Sequence, residues 1–76
     1  MSTGTYFPYP TPEHPNRLEI VMDKAAEAPA AREGLEAVGF EVTRVGLVLG
    51  HMAIDATEKD LPLARTVVQG PVYEQG

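Results

Sequence analysis

The stretch from Gly39 to Leu61 reads GFEVTRVGLVLGHMAIDATEKDL, and its punctuation decides the fold. Gly39 can adopt the left-handed conformation that ends a helix, and Phe40 behind it is placed to pack back on Leu35, the hydrophobic contact of that cap. Val42, Val45, Leu47, Val48 and Leu49 lead into Gly50. Met52, Ile54 and Ala56 then alternate with His51, Ala53 and Asp55, the period-2 pattern of a half-buried strand. Two apolar runs meeting at a glycine predict a hairpin, with Gly46 read as a bulge and Gly50 as part of the turn. Thr57 to Asp60 supplies two possible N-caps and an acidic turn ahead of Leu61, so a second helix follows. Helix, strand, strand, helix is the central motif.

Working outward, Leu18, Ile20 and Met22 alternate with Glu19, Val21 and Asp23 and predict a first strand. The next helix is expected to begin near Pro29, a favoured first-turn residue, with Ala31, Leu35 and Val38 on one stripe. Gly34 inside it costs about 1 kcal/mol against alanine, which points to a frail helix or to close packing on a strand. Beyond the hairpin, helix two is expected from about Leu61 to Val68, with Asp60 preferred as its cap because Pro62 then falls in the first turn. Gly70-Pro71 ends it, and Val72, Tyr73 and Glu74 form a last strand.

The resulting order is β-α-β-β-α-β, an α+β ferredoxin-like sandwich: one four-stranded antiparallel sheet with two helices on one face. Right-handed crossovers put the first and third strands in the centre and leave the strand near Phe40–Val48 and the final strand at the edges. Leu18, Ile20, Leu35, Val38, Val42, Ile54, Leu61 and Val68 are the expected core. The domain is assigned to residues 17–76. Residues 1–16, with Pro8, Pro10, Pro12 and Pro15 interleaved with Tyr6, Phe7 and Tyr9, read as a flexible arm in which neither helix nor central strand forms. Such an arm either stays disordered or docks its aromatics on the sheet or on a partner.

Composition narrows the function. A 76-residue chain has little core to spare for a buried catalytic pocket, since a domain of this size buries only roughly 60 % of its unfolded surface. It has no cysteine, which removes disulfides, thiolate catalysis and sulfur-ligated metal sites. Eleven acids against six scattered bases, net charge −5, argue against nucleic acid, whose phosphates need a concentrated basic face. No segment approaches the ~18 apolar residues of a membrane span, so a cytoplasmic protein is expected.

Chemistry-bearing residues are sparse. The lone serine, Ser2, lies in the arm and has no triad context. His51, Asp55 and Glu58 read as a solvated strand face rather than a metal or acid–base cluster, and His14 falls in the arm. Glu33 and Glu36 read as the wet side of helix one. Neither catalytic residues nor cofactor nor metal ligands are expected, and the chain is read as a non-enzyme.

Within EAVGFEVTRVGLVLGHMAIDATEKDLPLA, Gly39, Val42, Val45, Leu49, Ala56, Glu58-Lys59 and Leu61, followed by Val72 and Glu74, make residues 18–75 resemble the subtilisin-propeptide-like family of protease inhibitors and intramolecular chaperones. The resemblance implies a ferredoxin-like fold and tight binding to a subtilisin-like serine protease. Tyr73, Glu74, Gln75 and Gly76 would be the tail that threads the cleft, and Glu58 would cap a protease helix N-terminus. The competing expectation is a non-catalytic interaction subunit that dimerises, or docks on a larger enzyme, through its open sheet face and N-terminal arm. A small-ligand regulatory module is a third class, for which the chain carries no glycine–acid signature.

Overall fold

The computed structural model describes residues 2–46 and 49–73. Leu47 and Val48 of the expected hairpin lie outside the described residues. Five strands, β1 (Ser2–Pro8), β2 (Arg17–Met22), β3 (Val42–Gly46), β4 (His51–Asp55) and β5 (Val68–Gln69), alternate with helices α1 (Ala28–Ala37) and α2 (Leu61–Arg65). They form one mixed sheet in the order β3-β4-β2-β1-β5. The class is α+β. The sheet is five-stranded rather than four, and β5 runs parallel to β1 rather than antiparallel to its neighbour.

The arm is the main correction. Ser2–Pro8 is not flexible chain but an interior strand, paired antiparallel with β2 from Gly4↔Met22 to Pro8↔Leu18 and parallel with β5 at Ser2↔Val68 and Thr3↔Gln69. It occupies the place beside β2 expected for the C-terminal strand. The prolines explain how this is compatible with their chemistry. They begin only at Pro8, so the residues from Ser2 to Phe7 keep their N–H donors, and Pro10, Pro12 and Pro15 fall in the connection to β2. That connection is bonded, with Thr11 and His14 exchanging backbone N–H···O contacts of 3.0 and 3.1 Å.

Strand periodicity sorts the sheet into two faces. Tyr6, Ile20, Met22, Met52, Ile54 and Val68 are all buried and face the helices, which contribute Ala28, Ala31, Leu35 and Ala64 to the same cluster. Leu18, Val42 and Leu61 of the expected core pack against it half-buried. Val38 does not: it is the C-cap of α1 and 37 % exposed, because the chain unwinds there into the cap.

The cap itself is as the sequence demands. Gly39 has φ of 104°, its N–H reaches Glu36 O at 3.1 Å, and the Phe40 N–H reaches Leu35 O at 3.0 Å, the two bonds of a Schellman motif. The hairpin also follows expectation, with a register shift between Arg44 and Gly46 and a positive φ at Gly50. α1 packs closely through Gly34, where a Cβ would sit 2.7 Å from Val67 Cγ1.

Helix two is shorter than expected and ends at Arg65. Asp60 is its N-cap residue by position, but its carboxylate turns back to accept the Thr57 hydroxyl at 3.0 Å and makes no bond to the helix N-terminus. Val68 and Gln69 leave the helix for the sheet because β1 offers them a ladder. Val72 adds a parallel bridge to Tyr6, so the final strand resumes after Pro71 rather than starting there.

Candidate functional site

The sheet face opposite the helices is built from odd-numbered strand residues. One cross-strand row is Phe7, Glu19, Ala53 and Thr43. The next is Thr5, Val21 and His51, and beyond Phe7 and Glu19 lie Tyr9, Arg17 and Asp55. Among the described residues none of these belongs to the core cluster. Ala53 is fully buried by its neighbours, Phe7, Glu19 and Val21 are half-buried, and Tyr9 is exposed. The Tyr73 ring lies 5.3 Å from the Phe7 ring and extends this surface past the sheet edge. The face thus sets Phe7, Tyr9, Val21 and Ala53 among Thr5, Thr43 and His51, with one cation and two carboxylates.

On the helix side, a groove of about 360 Å³ opens between α2 and the ends of the strands. Leu18, Ala56, Leu61 and Val72 make its apolar wall, and Glu58 and Arg65 stand at its rim. Among the described residues Arg65 has no ion-pair partner. Its charge reaches the Tyr6 phenol. That group is pushed up to about 12, chiefly by burial and partly offset by Arg65.

Of the residues assigned to a partner tail, Tyr73 is exposed and tied to the sheet by its N–H, 2.7 Å from Tyr6 O, and Glu74, Gln75 and Gly76 lie outside the described residues. Glu58 is exposed at the groove rim. His51 and Asp55 share the open face without meeting. Asp55 instead pairs with His14, whose Nδ1 lies 3.0 Å from Asp55 Oδ2, so His14 fastens the β1–β2 connection rather than floating on an arm. Glu36 takes the Arg32 Nε at 2.8 Å on the exposed side of α1, and Glu33 stays exposed beside it. A second concavity is edged by Glu41, Asp55 and Asp60, yet no group of three or more side chains able to hold a metal occurs among the described residues.

Phe7 and Tyr9, read as aromatics of an arm able to dock on the sheet or on a partner, are instead part of the sheet's own open face, and Arg65 was not singled out as a site residue. For Phe7 the signal was present: Gly4 and Tyr6 alternate with Thr3, Thr5 and Phe7 before the first proline. Compared with protein-family models, characterised proteins and solved structures, the chain matches none. No helix among the described residues is long and apolar enough to cross a membrane.

Proposed function

We propose that this chain is a cytoplasmic, non-catalytic interaction subunit that self-associates through its open sheet face. The observation that carries the proposal is the charge pattern of that face: Arg17 and Glu19 are successive residues on it, backed by Phe7 on the adjacent strand and by Tyr9 just past that strand's end. A two-fold axis crossing the strands between these rows brings Arg17 of each copy to Glu19 of the other, and Phe7 to Tyr9. One surface is then complementary to itself, as an isologous dimer requires. Aligned sheet packing at about 10 Å lets the two faces interdigitate.

The topology is consistent with a ferredoxin-like unit carrying an extra strand. Taking β1 out of the order leaves β3-β4-β2-β5, the arrangement expected for β2-α1-β3-β4-α2-β5.

Sedimentation equilibrium of the full chain at micromolar concentration is expected to give a dimer. Arg17→Glu and Glu19→Arg should each weaken it, and the double swap should restore it. A monomer at every concentration defeats the proposal. If that monomer slows a subtilisin-type protease on a reporter substrate, the inhibitor reading replaces it.

A further inference from the structure

We propose that the groove between α2 and the strand ends binds a short zwitterionic peptide, of about dipeptide length, with apolar side chains. The groove lies on the helix side of the sheet, so the inference stands apart from self-association through the other face.

Three features of the groove define the ligand. First, its wall is apolar, through Leu18, Ala56, Leu61 and Val72, and its volume of about 360 Å³ falls in the range of small-ligand sites, roughly 300–1,000 Å³. Second, the rim carries one cation and one anion, Arg65 and Glu58. Third, their spacing sets a length. The turn before α2 is already wound helically, with the Leu61 N–H 3.1 Å from Thr57 O and the Ala64 N–H 3.1 Å from Asp60 O. Residues seven apart on such a winding share one face, with backbones about 10 Å apart.

An extended dipeptide spans about 7 Å, and side chains leaning inward from each end close the difference. The dipeptide's carboxylate suits the planar Arg65 guanidinium, which donates to two oxygens side by side, and its ammonium suits Glu58. A singly charged anion fits less well, because the chain already carries net charge −5.

The probe is leucyl-leucine, titrated into the full-length protein while backbone amide shifts are followed by NMR. N-acetylated and C-amidated leucyl-leucine are run alongside. Shifts are expected at Leu18, Ala56, Leu61 and Val72, with saturation in the millimolar range. Each blocked peptide should bind about two- to fivefold more weakly, the worth of one exposed ion pair. Arg65→Gln should erase the difference between the free and amidated peptides, and Glu58→Gln that between the free and acetylated ones. Both side chains are exposed, so neither change removes core contacts. Absence of shifts at the groove overturns the inference, as does equal binding of the free and blocked peptides.

Discussion

At the scale of single residues, Tyr6 carries the most consequence. It is fully buried at the centre of β1, and its hydroxyl donates to the Val68 carbonyl. Tyr6→Phe should cost about 1–2 kcal/mol by leaving that carbonyl without its partner, measured by urea unfolding at neutral pH. The same residue sets an alkaline limit. Folding raises the phenol from 10.0 to about 12 by burying it, so the neutral form is favoured in the native state. Its contribution is complete below pH 10 and fades as pH rises from 10 towards 12, amounting to about 2–3 kcal/mol. Unfolding titrations across that window should show the loss in the native protein and not in Tyr6→Phe. Gly70 is a second sensitive point. A Cβ there would fall 1.5 Å from Gly4 O, so Gly70→Ala must push β5 off β1 and should cost about 3 kcal/mol or more in thermal or urea melts.

At the scale of elements, α1 is held by its apolar stripe and its cap. Leu35 is fully buried beneath the helix, and Leu35→Ala should cost about 2–5 kcal/mol by urea unfolding. This helix was legible in advance because its signals are local: a proline in the first turn, a stripe at helical spacing, a glycine with an apolar residue behind it. The end of α2 was not. Leu61–Val68 is a coherent helical pattern by itself, but Val68 is worth more to the fold paired with Ser2 and fully buried beside Tyr6 than as the end of a longer helix. β1 follows the same logic. Deleting Ser2–Pro8 strips Ile20 and Met22 of their cover, and the truncated chain should lose cooperative unfolding in a calorimetric scan rather than keep its midpoint.

At the scale of the molecule, a 76-residue chain without cysteine, and so without disulfides, works with a small stability margin. Self-association through the open face would add to that margin by mass action. The thermal midpoint should therefore rise with protein concentration in the native chain and stay level in Arg17→Glu. A midpoint independent of concentration in both would count against the dimer.

By itself the sequence determined the α+β class, the limits of α1, the glycine cap at Gly39, the bulged hairpin of β3 and β4, and the alternation that buries Ile20, Met52 and Ile54. Each of these is written within a dozen residues, where helical and strand periods and left-handed glycines act directly. The open face was foreseen as well, since an antiparallel sheet covered by helices on one side leaves the other bare. Tertiary structure alone decided which segment pairs beside β2. The edge of β2 offers unpaired N–H and C=O groups to any extended chain, and nothing in the local pattern separates Ser2–Pro8 from the residues after Pro71. The long antiparallel register of β1, with Tyr6 filling the core, outweighs the brief pairing that Val72 can make. Phe7, Tyr9 and Tyr73 are placed together by that competition between distant segments, through contacts that no short window of sequence contains.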